Sequence, residues 1–411
     1  MTSLTIKPQS LDRSTKEKSQ GVELLAPAGD FEKLKVALSY GADAVYLGGE
    51  AFGLRSAAGN FSLNEIERAV AFAHKLNRKV YLTLNTFPNN YEIDETAQYI
   101  KCLKEIALDA IIIADPGVFL LVKELTDHPI HLSTQASVTH VEAVKFWVKQ
   151  GVSRIVLGRE VSIDEVKAIK DQCDVELEMF IHGSMCMSYS GKCTISNYTA
   201  NRDANRGGCV NSCRWDYSLS TLTDNVSFTQ SYIMNSRDLW AVDSVSGMIA
   251  DGVDSLKLEG RMKSHLYLAT TVSIYRQIID SCLDNGSIED SDRSRWVNQL
   301  NAIPNRGFST GFLEGQAERE SILYDNVKPN GKSNYIGVVK EVGDDFILLQ
   351  VKNRFFLGDS IKFLTFTGEE IMVQVDKIQD ISREHIPEAK PNSLVFLKKV
   401  PDIKAYNVAL Y

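Results

Sequence analysis

Val22-Glu-Leu-Leu-Ala-Pro-Ala-Gly29-Asp30, then Phe31-Glu-Lys-Leu-Lys-Val-Ala-Leu-Ser-Tyr40, then Gly41-Ala-Asp-Ala44-Val-Tyr-Leu47 set the pattern of this 411-residue chain. Glu23–Ala26 reads as a short buried strand and Ala44–Leu47 as a second one. Between them Phe31–Tyr40 has helical periodicity, with Asp30 placed to cap its N-terminus. Ala26-Pro-Ala-Gly29-Asp30 is not the GxGxxG turn of a dinucleotide site. The same alternation continues through strands at Lys79–Leu84, Ala110–Ala114, Ile130–Ser133, Arg154–Leu157, Glu176–Ile181 and Ser255–Leu258. Helical segments at Leu63–Leu76, Glu92–Ala107, Val141–Gln150 and Ile163–Gln172 separate them, and Ser162 is a second candidate cap. Eight strand–helix units in order predict an α/β chain built as a (β/α)8, TIM-like barrel; a doubly wound open sheet is the runner-up.

The pattern divides the chain. Residues 1–20 are polar and mildly basic without an apolar core, so they read as a flexible tail rather than a signal peptide, and a cytoplasmic protein is expected. Residues 21–285 form the barrel. Its insertion, 183–230, follows the seventh strand, before the short apolar stretch Tyr232–Met234 and a helix over Leu239–Ala250. Residues 286–331 read as a polar linker, and 332–411 as a small antiparallel β-barrel with turns at Gly343-Asp344-Asp345 and Gly368. No run of eighteen apolar residues occurs, which excludes a helical membrane span. A net charge of −8 argues against a general nucleic-acid binder and leaves a local basic groove open.

The insertion carries the strongest chemical signal. Cys186, Cys193, Cys209 and Cys213 fall in one window, with six, fifteen and three residues between them. Four thiols in polar surroundings (Lys192, Asn197, Arg202, Asn211) point to a metal centre. Structural zinc takes ligands in close pairs, and only the last two cysteines have that spacing. A four-iron cluster tolerates wide, irregular gaps, so iron–sulfur comes first, zinc second and four free thiols last. The other cysteines, Cys102, Cys173 and Cys282, are scattered.

Polar residues at strand ends are the further candidates, because a barrel of this kind builds its site at the C-terminal ends of its strands. They are Asn85, Asp115, Gln135, Arg159, Glu160, His182, Glu259 and Arg261, with Arg55 in the loop after the second strand. His182 and Glu259 have the chemistry of an acid or base. Arg55, Arg159 and Arg261 suit a carboxylate or phosphate, and Asn85 and Gln135 suit polar substrate contacts. Tyr189, Tyr198 and Trp215 flank the cysteines and offer stacking surfaces or a cover for a cluster. HExxH and GxSxG are absent, which leaves a hydrolase without its usual machinery.

Several of these stretches resemble the collagenase-like peptidase family U32. They include Glu23-Leu-Leu-Ala-Pro-Ala-Gly29, Phe180-Ile-His-Gly-Ser-Met-Cys186-Met-Ser-Tyr-Ser-Gly-Lys-Cys193, Met234-Asn-Ser-Arg-Asp-Leu239 and Leu256-Lys-Leu-Glu-Gly-Arg261. Cys209-Val-Asn-Ser-Cys213-Arg-Trp-Asp-Tyr217, Asn305-Arg-Gly-Phe308 and Val351-Lys-Asn-Arg354 are similar to its tRNA-hydroxylating branch, and the likeness runs from Val22 to the C-terminal unit. The resemblance implies hydroxylation of the wobble uridine in a tRNA anticodon loop to 5-hydroxyuridine. It also implies dependence on prephenate and a 4Fe-4S cluster, with Cys186, Cys193, Cys209 and Cys213 as ligands. The stretch between Trp215 and Met234 is shorter than in members with a longer insertion there, which leaves tRNA choice open. A U32-type peptidase, a ribosomal RNA hydroxylase of the same family, and an RNA-holding partner of a paralogous subunit are the alternatives.

Overall fold

The computed structural model describes residues 21–51, 60–218, 231–324 and 334–411. Eight parallel strands close on themselves: Glu23–Pro27, Ala44–Gly48, Lys79–Leu84, Ala110–Ile113, Ile130–Leu132, Arg154–Val156, Glu176–Ser184 and Ser255–Leu258. Closure is made by the eighth strand, where Leu256 stands opposite both Leu24 of the first and Met179 of the seventh. Helices on the outer face cover Val45, Leu47, Val80, Leu82, Ile111 and Ile113, all nearly or wholly buried. The (β/α)8 expectation therefore holds, and the open sheet is excluded.

Local chemistry starts and stops the helices where the sequence says it should. The Asp30 carboxylate accepts from the Lys33 amide at 2.8 Å, capping Phe31–Ser39. Glu165 reaches back to both the amide and the hydroxyl of Ser162 ahead of Ile163–Lys170. A further helix, Pro116–Leu125, has Pro116 in its first turn and is capped by Asp115. Asp115 thus serves the helix start rather than a site. That helix is apolar almost all round, so no single face stands out in its sequence.

Two expectations are corrected. Leu239 and Trp240 are not helical: Asp238–Trp240 is a strand antiparallel to the seventh, and the helix is only Val245–Ala250. Trp240 stacks on Phe308 at 5.1 Å, and that packing outweighs the helical period. The stretch 286–331 is more than a linker. It holds a helix, Asp290–Ala302, whose Trp296 is fully buried, and a strand, Phe308–Ser309, paired with Asp238–Leu239. Tyr335–Val342 begins an antiparallel, curled six-stranded sheet with its own core of Ile336, Val339, Ile347, Leu349 and Phe363. It docks on the barrel through Tyr40, whose hydroxyl donates to the Leu364 carbonyl at 2.7 Å and accepts from the Val408 amide.

Inside the barrel, charge replaces part of the usual apolar filling. Glu178 is fully buried between Lys257 (2.7 Å) and Arg154 (3.3 Å). Arg154 also pairs with Glu23 and Glu176, and Tyr81 donates to Glu23 at 2.6 Å. Removing one partner from such a pair strands the other charge in a low dielectric. Glu178→Gln is expected to lower stability by about 3–5 kcal/mol, read from the urea midpoint. Glu142→Gln, which removes only an exposed pair with Lys145, leaves that midpoint nearly unchanged.

Candidate functional site

At the C-terminal mouth of the barrel lies a cavity of about 230 Å³. Its inner wall comes from strand ends: Thr83 and Asn85 from the third, Ser133 and Gln135 from the fifth, Lys257, Glu259 and Arg261 from the eighth. Its outer wall comes from the insertion and carries all four of Cys186, Cys193, Cys209 and Cys213. Elements far apart in sequence thus face one space, because a parallel barrel brings every C-terminal strand end to the same face.

Arg261 is buried, with its guanidinium donating to the Thr83 hydroxyl at 3.1 Å and to the Asn60 side-chain oxygen at 3.4 Å. Two glycines make its room. A Cβ on Gly48 would lie 2.5 Å from Arg261 Nη1, and one on Gly29 would lie 2.2 Å from its carbonyl oxygen. The Glu259 carboxylate accepts from the Tyr46 hydroxyl at 3.1 Å, and its carbonyl accepts from Tyr267. Asn85 donates to Gln135 at 2.7 Å, which joins two predicted substrate residues into one amide pair. Arg159 lies over the Phe180 ring at 4.0 Å and also lines the cavity. Arg55 lies outside the described residues.

The insertion is clamped to the mouth. Glu160 accepts from both the amide and the hydroxyl of Ser190, so this predicted candidate anchors the loop. Gly191, at φ +75°, passes so close to Gln135 that a Cβ would sit 2.2 Å from its carbonyl oxygen. Arg206 pairs with Glu92 across the rim, and Asn205 donates to the Cys193 carbonyl at 2.9 Å. None of the cysteines is in a disulfide. Burial pushes the Cys186 and Cys213 thiols up; Cys193 and Cys209 add to the rise at Cys186, and the other three cysteines add to it at Cys213. Among the described residues, no three Cys, His, Asp or Glu side chains close on one point as ligands of a single ion do. Cys102, Cys173 and Cys282 take no part in this cavity.

His182 is a correction. It is not among the lining residues, and its ring packs against Tyr267, Tyr275 and Phe308. The Tyr275 hydroxyl donates to the Ile181 carbonyl and accepts from the Ala241 amide, so at 3.3 Å His182 Nδ1 is the donor to it. A base must reach the reacting atom, and this ring is spent on packing. Sequence reasoning missed Lys257, Tyr46 and Thr83, all of which line the cavity. Strand alternation held the signal for Lys257, which shares a face with Glu259. Tyr189, Tyr198 and Trp215 are exposed, so their faces are free for stacking.

Comparison with known proteins fits this architecture. The model of peptidase family U32 matches residues 29–323, and that of the U32 C-terminal domain matches 332–409. The chain belongs to peptidase family U32. It is 39% identical to tRNA hydroxylation protein P1 of Bacillus subtilis, over 93% of either chain. It is 32% identical to tRNA hydroxylation protein P of Escherichia coli, over 94% of this chain and 96% of that one. A 23S rRNA 5-hydroxycytidine C2501 synthase of Escherichia coli is 33% identical over 84% of this chain and 53% of its own length. No helix among the described residues is long and apolar enough to cross a membrane.

The buried imidazole gives a pH prediction. Burial holds His182 down to about 4, against an ordinary value of 6.5. The unfolded chain therefore takes a proton first on acidification. Stability is intact above pH 6.5 and falls as pH drops from there towards 4, by up to about 3 kcal/mol from this group. His131 and His265, also lowered chiefly by burial, add slope of the same sign. Urea midpoints measured across pH 4–7 are expected to fall less steeply in His182→Phe.

Proposed function

We propose that this chain is a cytoplasmic tRNA-modifying enzyme that hydroxylates the wobble uridine of an anticodon loop to 5-hydroxyuridine, using prephenate and a 4Fe-4S cluster. One observation carries the reading: four thiols and a set of barrel-end cations face the same cavity. Names of relatives that align over nearly their full length favour tRNA over ribosomal RNA as the substrate. The ribosomal RNA enzyme aligns over only about half of its own length. A peptidase is not favoured, because among the described residues no histidine lines the cavity, and the Ser190 hydroxyl on its wall is engaged with Glu160 in holding the loop.

The donor set suits the cluster. Cys186, Cys193, Cys209 and Cys213 all line one cavity, and their wide, irregular spacing in sequence fits a cluster better than one zinc ion. When bound, such a cluster supplies electron transfer or Lewis acidity at the cavity wall. The protein's own residues do the rest. Arg261 and Arg159 offer guanidinium forks to the two carboxylates of prephenate, and Lys257 adds a third cation at the floor. The Asn85–Gln135 amide pair offers hydrogen bonds to the edge of a flipped base. Glu259, fixed by Tyr46, is placed to hold or move a proton at its carboxylate. Exposed Tyr189, Tyr198 and Trp215 give neighbouring loop bases surfaces to stack on.

The direct test is nucleoside analysis of tRNA from a strain lacking the gene. Loss of 5-hydroxyuridine, restored by the intact gene and not by Cys186→Ser, is the expected result. Unchanged tRNA together with a missing ribosomal RNA hydroxylation would move the substrate to the ribosome. Anaerobically purified Cys186→Ser is expected to lose iron and sulfide, while Cys102→Ser keeps both.

Arg261→Lys keeps the charge but loses the fork. A charge-assisted hydrogen bond is worth about 1.5–3 kcal/mol, so prephenate binding should weaken roughly ten- to a hundredfold. Calorimetric titration of the folded variant checks this. Equal affinity would remove Arg261 from the binding set.

A further inference from the structure

We propose that Arg214 positions the sulfur-ligated group held by the four cysteines, acting as its counter-cation and hydrogen-bond donor, and thereby raises its reduction potential. The proposal rests on the cluster reading above. Arg214 follows the last of the cysteines and lines the same cavity wall. One of its terminal nitrogens, Nη2, donates to the Met185 carbonyl at 3.2 Å, which fixes the guanidinium beside the Cys186 loop. Its Nε and Nη1 are shielded from solvent and have no hydrogen-bond partner among the described residues. An arginine does not escape such a position by losing its proton. A buried guanidinium with two idle donors is expensive unless an anion stands beside it.

The charges around it say which anion that is. Its charged and ionisable neighbours are Arg306, Asp238, Cys213 and Cys186. Asp238 already pairs with Arg306 at 3.3 Å. That leaves Cys213 and Cys186, which become anions when they ligate a metal group. Arg214 therefore brings two unused donor nitrogens to the wall that carries the four cysteines. In turn, thiolates and cluster sulfides in this half-buried wall need a cation and N–H donors. Hydrogen bonds and positive charge near cluster sulfur favour the more negative, reduced state and raise the potential. Arg214 meets both needs in one side chain.

The experiment compares the anaerobically reconstituted full chain with Arg214→Met and Arg214→Lys. Iron and sulfide content, circular dichroism and an EPR-monitored redox titration are recorded for each. The expected result is a loaded Arg214→Met whose midpoint lies more negative than that of the unsubstituted chain, with Arg214→Lys between the two. Loss of loading in folded Arg214→Met, with loading kept in Arg214→Lys, also supports the proposal. A loaded Arg214→Met with an unmoved midpoint overturns it and leaves the cluster reading standing. An unsubstituted chain that takes up no iron and sulfide overturns both.

Discussion

The buried carboxylate of Glu178 is the constraint on which the barrel depends. It sits on the seventh strand, between Lys257 on the eighth and Arg154 on the sixth. Arg154 reaches on to Glu23 of the first strand, and Ser255 donates to the same carboxylate at 2.8 Å. The network therefore spans the seam at which the sheet closes. A slip of one residue in any of these strands would turn a charge out of the lumen and leave its partner stranded there. An apolar filling would tolerate such slips more easily. Specific closure is obtained at the cost of burying ions, and the closed barrel then sets every distance at the mouth above it.

The network also fixes the cavity's chemistry. Lys257 is held at the floor by Glu178, with the Tyr46 ring 4.5 Å from its ammonium. Tyr46 in turn donates to Glu259, so floor and rim share one chain of contacts. The insertion closes the space from the other side. Its path is fixed by the close approach of Gly191 to Gln135 and by Ser190 on Glu160. These contacts tie the cysteine wall to the ends of the fifth and sixth strands. Thiols and strand-end side chains thus keep a common frame around the cavity, although more than a hundred residues separate Asn85 from Cys193.

Much of this was legible in the sequence. The eight barrel strands were visible because buried parallel strands read as short apolar runs between amphipathic helices. The four cysteines were visible because thiols in polar company have few other uses. His182 was misread for a definable reason. Strand alternation puts it on the face of Glu178 and Phe180, towards the lumen. A bulge between Phe180 and His182 resets the register, so that His182 stands opposite Leu258, an outward residue. The ring then meets Tyr275 of the covering helix, His265–Asn285. A one-residue bulge leaves no mark in a hydrophobic pattern. Asp238–Trp240 and Phe308–Ser309 were missed because two- and three-residue strands are defined by their partners, not by their own composition.

A chain of net charge −8 with a cationic site shows how little overall charge says about local recognition. The arginines at the mouth are not spread over an open surface, where salt would screen them. Arg159 rests on the Phe180 ring, Arg261 is buried behind two glycines, and Arg214 is shielded on the cysteine wall. In that setting each cation acts over a short range and at a low effective dielectric. It attracts an anion that enters the cavity and has little hold on a polyanion passing outside. Such a site selects by shape first: only a ligand small enough to enter the cavity brings its negative groups within reach. The exposed aromatic side chains near the cysteines add apolar ring faces outside the cavity. Stacking on such faces needs no surplus of positive charge.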